Sequence, residues 1–207
     1  MPPHCIILNL YAWKPAVLHN AIQQYRSILW IDARSNLRSP LEPISSTLRK
    51  DGHFFVQGQD LDMTQMSMED TYTALNTTRN DFAGQPHFSG GLQGYTRGSV
   101  AHEKILNPFY AYSLDEACIA PPHSNLGNHR YDQTLLSILI YQCGMKISPK
   151  TKWLAAARNQ LHEDPMQPSN AIIYTARATS IDYAPHVRNT NDQFCYANRR
   201  QKKIASQ

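Results

Sequence analysis

The sequence predicts an α/β domain, a mixed and mainly parallel sheet flanked by helices, from three observations. A continuous apolar run at residues 27–33 ends beside a carboxylate, Asp32, as strands covered on both faces do. A capped amphipathic segment follows at residues 39–52. A second apolar run, His53-Phe54-Phe55-Val56, comes directly after it. Strand, helix, strand in that order argues for parallel pairing.

The elements follow in chain order. Residues 5–10 form a short apolar run consistent with a buried strand. Pro15 suits a first helical turn, and Val17, Leu18, Ala21, Ile22 and Tyr25 recur at helical spacing. In the next helix, Leu41, Ile44 and Leu48 supply the apolar face and Gly52 the stop. Residues 60–76 read as helix, with Met63, Met66 and Met68 as packing residues. Residues 84–98, rich in glycine, read as a loop or an irregular strand pair. A helix is expected near 101–106, and a firmer one from Leu135, Leu136, Leu139 and Ile140. Residues 171–175 make the final strand candidate. Without repeats or a linker, residues 1–188 read as one domain and 189–207 as a polar basic tail.

Composition excludes several classes of function. The net charge of +4 is modest, and Arg199, Arg200, Lys202 and Lys203 are confined to the tail. With no finger spacing and no stacking-aromatic motif, nucleic acid is not an expected partner. No apolar stretch is long enough for a transmembrane segment, and no signal peptide opens the chain. The cysteines at 5, 118, 143 and 195 form no Cys-x-x-Cys pair, and Cys143 is expected in the core. Cys118, His123 and His129 match no zinc spacing.

Three polar constellations carry candidate chemistry. Asp32-Ala33-Arg34 follows the apolar strand, where open α/β sheets place their ligands. Asp32 there either binds a divalent cation or a sugar hydroxyl, or caps the turn through the amides of Ser35 or Asn36. In Gln93-Gly94-Tyr95-Thr96-Arg97-Gly98, Arg97 offers a fork for phosphate. The run from Ser124 to Gln133 holds Asn125, Asn128, His129, Arg130 and Asp132 before an apolar helix. Asp132 there either caps the helix or serves a site, with His129 as a second proton carrier.

Taken in order, Tyr11-Ala12-Trp13-Lys14-Pro15, Ile28-Leu29-Trp30-Ile31-Asp32-Ala33, Cys118-Ile119-Ala120-Pro121 and His129-Arg130-Tyr131-Asp132-Gln133 resemble nucleotide-diphospho-sugar transferases of the GT-A fold, close to the domain of unknown function 1647 group. The resemblance implies sugar transfer from a nucleotide sugar to a glycan or glycosylated acceptor, in the secretory pathway (Golgi). It places Asp32-Ala33-Arg34 at the Asp-x-Asp motif that holds Mn2+ or Mg2+ and the donor diphosphate. Arg34 replaces the second acid, so either a fixed cation meets the diphosphate or metal binding at Asp32 is weak or lost. On this reading Asp32, Arg34 and Arg97 face the donor, and Gln93, Asn128, Arg130 and Gln133 face the sugar or acceptor. Asp132 and His129 are then catalytic. The nucleotide-binding half expected before the Asp-x-Asp strand is short here, and the chain reads as N-terminally truncated. A noncatalytic carbohydrate-binding or protein-interaction module on the same scaffold is the alternative.

Overall fold

In the computed structural model the chain is described at residues 1–33, 35–148, 154–157 and 172–176. Helix α1 (Trp13–Gln24) leads into β1 (Ser27–Ile31) and a short β2 (Ser35–Leu37). Helix α2 (Glu42–Asp51) and strand β3 (His53–Asp62) follow. After α3 (Glu69–Ala74) comes β4 (Pro86–Thr96). Helices α4 (Asn107–Ser113), α5 (Glu116–Ile119) and α6 (Asp132–Gln142) precede the short strands β5 (Leu154–Ala157) and β6 (Ile173–Ala176).

The main sheet has the order β1-β4-β3, and both of its pairings are antiparallel. This corrects the mainly parallel sheet expected from the sequence. The physical reason is insertion: β1 and β3 do run in the same direction, but β4 lies between them and opposes both. Among the described residues, parallel pairing is confined to β5 with β6 and to a bridge between Val56 and Ser148. In the second sheet, of order β2-β6-β5, β2 opposes β6.

Alternation along the strands divides the core in two. Ile28, Trp30, Phe55, Phe88 and Tyr95 pack with Leu18 and Ile22 of α1, Phe109 of α4 and the apolar side chains of α6. Leu29, Ile31, Phe54, Val56 and Leu92 meet Ile44 and Leu48 of α2, and Ile172 and Ile173 close that side. Helix α6 is buried from Asp132 through Ile140. A helix covered on all sides needs internal partners for its polar groups. Ser137 meets this by donating to Gln133 O at 2.6 Å and accepting from Phe88 N at 2.9 Å.

Four local expectations are corrected. Residues 5–10 are two 3-10 turns, Pro3–Ile6 and Leu8–Leu10, not a strand. Pro3 fixes φ and lacks a ladder donor, and Ile6 and Leu8 remain 71% and 70% exposed. Residues 60–76 are not one helix. Strand β3 runs on to Asp62, which caps a 3-10 turn by accepting from Thr64 N at 2.8 Å. The glycine-rich stretch is the central strand, β4. Finally, Cys143 caps α6 in an exposed position, its thiol donating to Lys104 O at 3.6 Å.

Candidate functional site

Position 14 lies in phase with Leu18 and Ile22 on the buried stripe of α1, so its side chain must point inward. The ammonium of Lys14 is accordingly buried, its side chain 5% exposed. It stands 2.7 Å from Asp132 Oδ2 and 3.6 Å from Asp32 Oδ1. It also donates to Gly90 O at 3.1 Å. The rings of Tyr11 and Trp30 lie over it at 5.7 and 5.6 Å, close enough for cation–π attraction.

The two carboxylates differ in access. Asp132 is 7% exposed and Asp32 is 34% exposed. Burial pushes the Asp132 carboxyl above its ordinary range, against the pull of Lys14, and the nearby Asp32 charge adds to the rise. Burial alone would lower Lys14, yet the charges of Asp132 and Asp32 outweigh it and hold the amine above its usual value. Asp32 follows β1, where its amide bonds Gly91 O at 3.0 Å and its Oδ1 accepts from the Trp30 indole at 2.8 Å. Residues i and i+2 share one side of an extended chain, which puts Trp30 and Asp32 together.

Strand β4 is shaped around these groups. Phe55 and Gln57 of β3 face Gln93 and Phe88 of β4, so Val56 alone stands opposite residues 89–92. The added residues make a bulge that carries Gly90 and Gly91. A Cβ on Gly90 would lie 2.9 Å from Asp132 Oδ2, and one on Gly91 would lie 2.6 Å from Asp32 Oδ2. Only glycine leaves room for both carboxylates. Gln93 extends the network, donating to Gly90 O at 3.0 Å and accepting from Tyr95 OH at 2.6 Å. The Tyr95 phenol is pushed well above its ordinary range by burial and then by the Asp132 charge.

Asp132 is the first residue of α6 but does not cap it; the capping position is Tyr131, with φ 44° and ψ −118°. That backbone is strained for any residue but glycine. It is held by the Tyr131 ring, 5.7 Å from Tyr11 and 5.3 Å from His129, and by a hydroxyl bond to Ser124 O at 3.2 Å. The turn aims Asp132 at Lys14, while the amide of Gln133 in its own helix also hydrogen bonds the carboxylate.

The structure thus brings Asp32, Asp132 and Gln93 together and adds Lys14, a residue of the Tyr11-to-Pro15 motif not among the expected site residues. The other expected site residues lie apart. His129 is wholly buried; Nδ1 accepts from Met68 N at 3.2 Å and Nε2 donates to Ile119 O at 3.0 Å. Burial lowers its pKa to about 4, and both ring nitrogens serve the backbone. Asn128 is bonded within its own loop, to Asn125 N at 2.7 Å and His123 O at 3.2 Å. Gln133 is turned toward Gly58 of β3, and Arg130 is half-buried ahead of α6. Exposed Arg97 is tied to Gln23 O at 2.9 Å, and its amide bonds Arg26 O. From Arg26 to Asp32 is roughly 20 Å of extended chain, so Arg97 and Asp32 occupy opposite ends of β1. Arg34 and the 189–207 tail lie outside the described residues.

Among the described residues no group of three or more His, Cys, Asp or Glu has metal-binding geometry, and no helix is long and apolar enough to cross a membrane. No protein-family model matches the chain, and no curated protein matches it. Among solved structures it is similar to mouse xyloside xylosyltransferase 1 in its apo form, at 12% identity and a TM-score of 0.46. The match covers 81% of this chain and 63% of that one, less than two thirds of its length.

Proposed function

We propose that this chain is a glycosyltransferase-like domain that takes the sugar of a nucleotide-sugar donor at Asp32. The observation carrying this reading is the accessible Asp32 carboxylate, oriented by the Trp30 indole and by Lys14 beside half-buried Tyr11 and Trp13. A fixed carboxylate accepts sugar hydroxyls at little entropic cost, and aromatic rings alongside it suit the apolar face of a pyranose. The ordered motifs that resemble GT-A transferases supply the transfer half of the proposal. Asp132 then acts from behind, fixing Lys14 and through it Asp32, so we assign it a positioning role.

The test is titration calorimetry of the whole chain against a panel of nucleotide sugars and the corresponding free sugars, with donor cleavage followed in parallel. Binding to at least one member, weakened about tenfold or more by Asp32→Asn, is the expected result. No binding across the panel, or undiminished binding by Asp32→Asn, removes the assignment. One observation favours the noncatalytic alternative: Lys14 already compensates the charge of both Asp32 and Asp132. Sugar binding without cleavage or transfer of any donor would decide for that alternative.

A further inference from the structure

The Lys14 ammonium meets three oxygens from three separate segments, one by hydrogen bond and two as ion pairs. They are Asp132 Oδ2 at 2.7 Å, Gly90 O at 3.1 Å and Asp32 Oδ1 at 3.6 Å. Magnesium and manganese ions prefer a shell of about six oxygens drawn from carboxylates, carbonyls and water. Two carboxylates and a carbonyl could begin such a shell, but here they already close on a fixed cation. Tyr11 and Trp30 cover the ammonium further, and Gly90 and Gly91 let both carboxylates lie against β4.

We propose that Lys14 is a built-in cation, occupying the position from which these oxygens would otherwise hold a divalent metal. Asp32 therefore engages its ligand without a metal, and Lys14 is the residue that orients it. The second half of this inference deepens the sugar-site reading and rests on it. The first half, exclusion of metal by Lys14, stands on the geometry alone.

The experiment uses manganese ion alone, titrated into the whole chain, with the tryptophan indole N–H signals followed by NMR. The Trp30 indole hydrogen bonds Asp32 Oδ1, so a paramagnetic ion held by Asp32 would broaden that signal selectively. Wild type should show no selective broadening at submillimolar manganese. Lys14→Gln, which removes the charge, should gain manganese affinity by about tenfold or more. Lys14→Arg should behave as wild type. Selective submillimolar broadening in wild type that Asp32→Asn abolishes would overturn the proposal, as would a folded Lys14→Gln that gains nothing. The wild-type measurement decides even where Lys14→Gln does not fold. If no sugar binds yet manganese is excluded as expected, only the sugar reading falls. If a sugar binds and its affinity rises with manganese, the metal-free reading falls instead.

Discussion

Lys14 Nζ lies 2.7 Å from Asp132 Oδ2, an ion pair that ties the first turn of α1 to the first turn of α6. Each of those turns lies at the positive end of a helix dipole. Asp132 suits such a place and Lys14 opposes it, so the lysine is tolerated there because two carboxylates converge on it. Because Lys14 also meets Asp32 just after β1, the pair couples the orientation of Asp32 to the packing of the buried helix α6.

Breaking that pair should be costly and unequal. Lys14→Met leaves two uncompensated carboxylates and should lose about 3–5 kcal/mol of stability. Asp132→Asn leaves Lys14 with Asp32 and Gly90 O and should lose about 1–3 kcal/mol. Urea unfolding of the singles and the double variant should give a coupling of about 1 kcal/mol or more. Strict additivity would show that the two residues do not act as a unit. A capping role for Asp132 predicts almost no change for Asp132→Asn, because asparagine caps as well.

Acid should destabilise the fold through His129. Its pKa falls from 6.5 to about 4 on folding, chiefly through burial. Protonated Nδ1 would point a hydrogen at the Met68 amide, which now donates to it. A lowered pKa means that the contribution is complete above the unfolded value of 6.5 and is lost as pH falls toward 4. The loss is about 3 kcal/mol at most. Denaturant titrations at pH 7 and pH 4.5 should show it, and His129→Gln should remove most of that difference. An equal acid loss in both proteins would rule His129 out as the source.

Gly91→Ala should separate site from fold. The new Cβ would fall 2.6 Å from Asp32 Oδ2, and a partly exposed aspartate can swing aside. Stability should drop by only about 1 kcal/mol. Sugar affinity should drop about tenfold or more, because Asp32 leaves Trp30 and Lys14. Calorimetry and a thermal melt on the same sample give both numbers, and unchanged affinity would detach Asp32 from the ligand.

Arg97→Ala should leave ligand affinity at Asp32 unchanged. The guanidinium is bound to Gln23 O at the far end of β1, and at physiological salt charge interactions across roughly 20 Å of surface are screened. An affinity loss of about tenfold would mean that the ligand spans the whole of β1.

Much of this was legible in the sequence for local reasons. Helix α1 and the α2 stop at Gly52 are set by residues within a turn of each other, and the apolar run that gives β1 is equally local. Asp32 and Asp132 stood out by position, one at the end of an apolar run and the other between a polar loop and an apolar helix. The signal for Lys14 was present too, since it shares a helical stripe with Leu18 and Ile22; it was masked by the motif around it. Strand β4 was legible only as a loop or an irregular strand pair, not as one central strand. Gly90, Gly91 and Gly94 weaken any strand locally, and their reason lies in Asp132, Asp32 and Leu48, residues far away in the chain. The antiparallel sheet was hidden for the same cause, because nothing in β1, α2 or β3 announces that β4 will come between them.

The insertion of β4 also sets an order of events in folding. Strands β1 and β3 have no partner in the main sheet until residues 86–96 are available, so during synthesis each presents bare backbone on the side that β4 will fill. Their pairing is nonlocal, and closure over such distances is slow compared with helix formation. Until then, two β-rich segments, one of them containing Phe54, Phe55 and Val56, are open to pairing with other chains. The charge cluster comes later still in synthesis, because Asp132 follows β4 in the chain.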